Sequence, residues 1–181
     1  MADIASWSRV ACAALLVASV TAGCDSEAQY APSLPAVAGF RVDDGVLRLW
    51  TGTPCSGVIG ATLIFDTGTE KSAKQQWSAP KPGVSLERMN LLDTSPDGGG
   101  PLRVEKALPA DYDWTKATSI VFYVDGPKAN GVRVDVDQVL SESAKHPSES
   151  YLFGEAGWLD AADVRRGNGK SFLTMCTPDP K

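Results

Sequence analysis

The sequence predicts an all-β, mainly antiparallel domain of β-sandwich type with one short helix near its C-terminus. Three observations lead there. Val132, Val134 and Val136 alternate with Arg133, Asp135 and Asp137, the period-two pattern of a strand with one face in a core and the other in water. Residues 58–65 and 120–124 are apolar at nearly every position, as strands packed on both faces are. Gly, Pro and Asp break these runs at short intervals, and neither βαβ alternation nor an internal repeat is present, which favours a sandwich over a parallel sheet.

In chain order, the apolar residues 46–50 follow Asp43-Asp44-Gly45, a turn sequence that accepts positive φ and suits a hairpin. Residues 58–65 read as a central strand. Trp77 stands between prolines and lysines and carries little signal of its own. Residues 84–92 fit a strand or a helix by pattern, and Pro82-Gly83 at their start favours a strand. Residues 95–100 (SPDGGG) form a loop, and residues 120–124 and 132–136 are the next two strands. Asp160 caps a short helix that runs through Arg166, with Arg165 and Arg166 suited to the negative end of its dipole and Gly167 as the stop. Residues 172–176 close the fold as a last strand, for seven or eight strands in all.

A chain of 181 residues is enough for one domain of ordinary size. It holds 17 Lys+Arg against 22 Asp+Glu, a net charge of −5, with no basic block. Nucleic acid is therefore not expected as a partner, nor is electrostatic attachment to anionic lipid, since both need clustered cations. A hydrophobic content of 43% suits a packed domain.

The N-terminus reads as an export signal. Arg9 ends a short n-region, residues 10–20 (VACAALLVASV) form an apolar core, and Thr21, Ala22 and Gly23 are small residues before Cys24. As a helix the apolar core would rise roughly 16 Å, about half the hydrocarbon thickness of a bilayer, too short to span it. Thr21-Ala22-Gly23-Cys24 resembles a lipobox, in which the thiol takes a diacylglycerol and the chain is cut just before it. A plain secretory signal with a chance cysteine at the cleavage site is the competing reading. Two or three acyl chains, at about 0.8 kcal/mol per buried methylene, make a durable anchor. The expected organisation is a signal peptide at 1–23, a lipidated N-terminus and polar tether at 24–36, and a β domain at 37–181. Pro32 and Pro35 oppose a strand in the tether.

No catalytic motif stands out. His146 is the only histidine and lies in Ser143-Ala144-Lys145-His146-Pro147, a loop context, and no G-x-S-x-G elbow is present. One histidine and no closely spaced cysteine pair leave too few good ligands for zinc. Asp43 with Asp44, Asp93 with Asp97, and Asp135 with Asp137 lack EF-hand spacing, and the last pair reads as the solvated face of a strand. No metal, cofactor or catalytic residue is therefore expected. Trp50, Trp77, Trp114 and Trp158 remain after signal removal. Such residues usually pack in a small β domain. Trp158, flanked by Gly154 and Gly157, is the candidate for a ligand contact on a loop rim.

The TAGC segment, residues 50–58 (WTGTPCSGV) and residues 172–178 (FLTMCTP) together resemble small lipoproteins of actinobacteria. The resemblance implies an envelope address and supplies no activity or substrate. With Cys12 lost in the signal and Cys24 lipidated, Cys55 and Cys176 are left to pair in an oxidising exterior, two free buried thiols being the alternative. The functional expectation is a lipid-anchored protein facing outward from the cell membrane. Its partner is an envelope protein or glycan, and its role is binding or structural. The alternative is a hydrolase of envelope glycan or lipid using dispersed carboxylates or His146. Cys24→Ser is expected to stay uncleaved or to leave the membrane fraction. A mature wild-type N-terminus without lipid, determined by mass spectrometry, would contradict the lipidation.

Overall fold

The computed structural model describes residues 32–69, 72–93 and 100–180. The signal peptide, Cys24, most of the tether and Asp97 lie outside the described residues. The first half of the domain contains β1 (Ala36–Val37), β2 (Gly39–Asp43), β3 (Val46–Val58), β4 (Gly60–Asp66), β5 (Ala73–Ser78) and β6 (Val84–Asn90). The second contains β7 (Arg103–Lys106), β8 (Ser119–Asp125), β9 (Val132–Asp135), α1 (Val136–Glu142), β10 (Tyr151–Leu152), β11 (Trp158–Leu159), α2 (Ala161–Gly167) and β12 (Leu173–Thr174). Two five-stranded antiparallel sheets are present, ordered β11-β10-β2-β3-β6 and β7-β5-β4-β8-β9, with a separate parallel pair β1-β12. The domain is all-β and sandwich-like, as the strand patterns predict.

The β2–β3 hairpin turns where the sequence expects it. Asp44 (φ 50°) and Gly45 (φ 78°) both take left-handed backbone, which matches the twist of the flanking strands. The chain then changes sheets within one residue, Ile59. Its N–H donates to the Asp125 carbonyl and its carbonyl accepts from the Ala79 N–H. The expected strand at 58–65 is thus divided: Val58 ends the first sheet, and β4 is the middle strand of the second.

Coverage on both faces is partial. On β4, Ala61, Leu63 and Phe65 are buried while Thr62 and Ile64 are half-buried. On β8, Ile120 and Phe122 point inward, Val121 is buried on the other face, and Tyr123 is exposed. The inward residues join Phe40, Leu47, Leu49, Leu86, Val132 and Val134 in the main core. A fully buried Leu, Phe or Val there contributes about 1.5–3 kcal/mol.

The strand expected at 132–136 ends at Asp135. Its side chain accepts from the Gln138 N–H at 2.8 Å and starts α1, so a carboxylate that looks like the outer face of a strand is a helix cap. Asp135 and Asp137 consequently share no strand face. Among the described residues there are two short α-helices where one was expected. The second matches its signal: the Asp160 carboxylate accepts from Ala162 N–H and Asp163 N–H while Asp163 reaches back to Asp160 N–H. The backbone N–H of Asp163, foremost, holds the Asp160 carboxyl below the ordinary aspartate range.

The closing strand shrinks to Leu173–Thr174 and pairs in parallel with Ala36–Val37 instead of joining a main sheet. The last residues of the expected tether are correspondingly docked. Ser33 donates through its N–H and hydroxyl to the Asp179 carboxylate, at 2.7 and 2.5 Å, and the Pro35 carbonyl accepts from Leu173 N–H. The prolines precede the strand, so its ladder loses no donor. This layer, with α2, creates a second cluster of Val37, Trp50, Tyr151, Phe153, Val164 and Phe172. Trp50 meets Tyr151 and Phe153 edge-to-face at 5.6 and 5.3 Å.

Cys55 and Cys176 form a disulfide, with Cα atoms 5.4 Å apart and a sequence separation of 121. Beside it, hydroxyls link Thr53 to Thr174 and Thr174 to Thr177, while Asn168 donates to Thr177 and accepts from the Thr174 N–H. A closed loop of this length restricts the unfolded chain by nearly 5 kcal/mol in the chain-entropy model. The double variant Cys55→Ala/Cys176→Ala is expected to lose about 2–5 kcal/mol in urea unfolding. A loss below about 1 kcal/mol would show that the surrounding hydrogen bonds alone hold the C-terminal segment.

Candidate functional site

Trp158 lies within an assembly at the edge of the first sheet, not on an open loop rim. Strand β11 pairs with β10, placing Trp158 opposite Leu152. The indole stacks on His146, with centroids 4.4 Å apart and planes 10° from parallel, and its N–H donates to Glu142 Oε2 at 2.8 Å. The Arg41 guanidinium carbon is 5.9 Å from the centre of the ring. Arg41 is itself buried and satisfied. It pairs with Asp43 at 2.6 Å and donates to the carbonyls of Pro147 and Ser150 at 2.8 and 3.1 Å, with longer bonds to the His146 carbonyl. One side chain thus ties the 146–150 loop to β2, and the loop presents His146 to Trp158. Trp158 is half-buried, with its indole N–H bonded and one ring face stacked inside the protein.

The Glu142 carboxyl is held below the ordinary glutamate range, first by the Trp158 N–H, then by Gln138, His146 and Lys145 against an opposing burial effect. His146 is engaged by stacking on Trp158.

Three of the acidic candidates have visible places. Asp43 bridges Arg41 and Arg48, Asp44 is exposed in the hairpin turn, and Asp135 caps α1. Among the described residues no three His, Cys, Asp or Glu side chains group as metal ligands.

A concavity of about 560 Å³ opens where α2 meets the β1–β12 pair. Val37, Ala156, Leu159 and Phe172 supply apolar lining, and Glu155, Asp163 and Arg166 supply charge. Its volume falls in the range of small-ligand sites, as does its mix of apolar wall and few polar groups. Arg166 is paired with Asp163, and Asp163 is also committed to the cap of α2. A smaller hollow of about 400 Å³, lined by Arg133, Asp135 and Gln138 among others, shares Glu155 with it. Neither hollow is lined by Trp158 or His146.

Sequence reasoning did not find the larger concavity. Arg166 carries a visible signal as a helix-terminal cation, and Phe172 as a strand residue. Nothing local brings Val37 beside Phe172; only the β1–β12 pairing does.

Comparison of the chain with family models, with curated proteins and with solved structures finds no match in any of the three.

The depressed Glu142 carboxyl has a consequence for acid stability. Its contribution is fully present above the unfolded-state glutamate value and is lost as pH falls through the lower folded-state value. Trp158→Phe removes the main cause, so Glu142 is expected to titrate at higher pH in this variant by carboxyl NMR. An unchanged midpoint would assign the shift to Gln138 and the nearby cations instead.

Proposed function

We propose that this chain is an envelope lipoprotein, held on the outer side of a cell membrane by acyl chains on Cys24, whose β domain binds a ligand or partner without transforming it. The observation that carries this reading is the Cys55–Cys176 disulfide. Such bonds persist outside the reducing cytoplasm, which agrees with an export signal and a lipobox-like cysteine. The binding surface assigned to this role is the 560 Å³ concavity, with its apolar lining and ion-paired rim.

One observation favours a second reading, hydrolysis of envelope glycan or lipid. Glu155 and Asp163 line the same concavity, and two facing carboxylates are the minimum for glycoside hydrolysis. Against it, Asp163 is tied to Arg166 and to the helix cap. His146 has no part in this version, since it lies outside the concavity.

A photoreactive residue in place of Ser171, on the concavity, tests binding in intact envelopes, with one at Asp44 in the hairpin turn as control. A discrete adduct from position 171 alone, on a protein that partitions into detergent, is expected. Equal labelling from both positions, or partition into water, would overturn the proposal. Release of product from envelope glycan or lipid by wild type and not by Glu155→Gln would establish the hydrolase instead.

A further inference from the structure

The outer face of the second sheet carries a feature the concavity does not explain. Tyr123, on β8, is the one exposed large hydrophobic side chain among the described residues, at 43% exposure. Its ring lies over Gly131: a Cβ at that position would come within 2.3 Å of Tyr123 Cε1. The absence of a side chain there lets the phenol ring lie close to the backbone, fixing one edge of it while much of the ring stays in water.

Registers place Tyr123 at the end of a cross-strand row. Thr62 is opposite Tyr123, Gln76 is opposite Thr62, and Lys106 is opposite Gln76. At about 4.8 Å per strand the row spans roughly 14 Å. The next row along runs Lys74, Ile64, Val121 and Arg133. Lys74, Arg103 and Lys106, on the adjacent strands β5 and β7, are exposed. None of the three belongs to an ion pair among the described residues. Two acidic groups on the same face are occupied: Glu105 accepts from the Ser78 hydroxyl, and Asp66 pairs with Arg133. Asp125 stands exposed at the end of β8. An open aromatic ring, two uncharged hydrogen-bonding side chains and free cations beyond them therefore lie in order across the sheet. The chain that carries them has a net charge of −5.

We propose that this face binds an acidic glycan, a linear oligosaccharide bearing carboxylates, laid across the strands. The apolar face of one sugar ring stacks on Tyr123, as amphipathic ligands do on a ring that is apolar in body and polar at its tip. Thr62 and Gln76 pair with sugar hydroxyls along the row. Lys106 and Lys74 meet a carboxylate further along the glycan, which gives the chain its direction. The proposal deepens the binding reading by naming a ligand class, and no residue it uses lines the 560 Å³ concavity.

The test is calorimetric titration of the full-length processed protein in neutral detergent with oligogalacturonate, with a neutral cello-oligosaccharide, and with vesicles containing phosphatidylglycerol. Binding of oligogalacturonate alone is expected, weakening as salt is raised because exposed charges are screened. Tyr123→Ala and the double variant Lys74→Ala/Lys106→Ala should each weaken it at least tenfold. Gly131→Ala, which displaces the ring, should act in the same direction with the circular dichroism unchanged. Overturning results are no binding of oligogalacturonate, equal binding of the neutral sugar, or an affinity that Tyr123→Ala leaves intact. Vesicle binding that depends on the lysines and not on Tyr123 would make this face a membrane contact and end the glycan proposal. Adduct formation from position 171 does not depend on any of these variants, so failure here is separable from failure of the concavity as a binding surface.

Discussion

The bond between Cys55 and Cys176 fixes a segment that secondary structure alone holds poorly. β12 is two residues long and pairs with a partner of equal length, far less than a strand pair needs to persist in water. Anchored at Cys176, the segment is brought against β3, where Thr53, Thr174, Thr177 and Asn168 satisfy one another. Once β12 is in place, β1 has a partner, Asp179 is in reach of Ser33, and Phe172 covers the outer face of the first sheet. The second apolar cluster and the concavity beside it both follow from this one covalent constraint.

The two clusters divide the labour of the first sheet. Its inner face packs Phe40, Leu47 and Leu49 against the second sheet, while its outer face presents Trp50, Tyr151 and Phe153 to α2 and the terminal strands. Arg88 lies 4.6 Å from the Trp50 ring centre and donates to the Tyr151 hydroxyl, closing the exposed side of the cluster with a charged group whose stem is apolar. On the outer face of the second sheet Val121 is buried, while no described residue covers Tyr123 fully and it reaches solvent.

Legibility in the sequence followed the range of the interaction. The Asp43-Asp44-Gly45 turn and the Asp160 cap are written in adjacent residues, and both formed as expected. The disulfide was legible by elimination on the expectation that Cys12 leaves with a signal and Cys24 takes lipid, and Cys55 and Cys176 are indeed bonded. Asp135 was misread because a residue that continues an alternating pattern also opens D-x-x-Q, and the helix cap won. The run at 58–65 concealed a change of sheet, since a one-residue corner at Ile59 leaves the apolar pattern unbroken. The concavity was illegible because its walls come from opposite ends of the chain. Trp158 was legible as an unusual residue and not as a half-buried one at a sheet edge: the partners that engage it, Glu142, His146 and Arg41, are distant in sequence or belong to loops without periodicity.

The parallel orientation of β1 and β12 also has a mechanical meaning. A pull on the chain upstream of Pro32 meets the Ser33–Asp179 bonds first and then drags β1 along its own axis past β12, loading their hydrogen bonds in shear. Because β12 is followed at once by the disulfide, that load passes through a covalent link into β3, the longest strand of the first sheet. The main core lies behind this path. Tension on the N-terminal segment is therefore resisted by a short clasp riveted to the body of the domain, and the sandwich itself is spared until the clasp gives way.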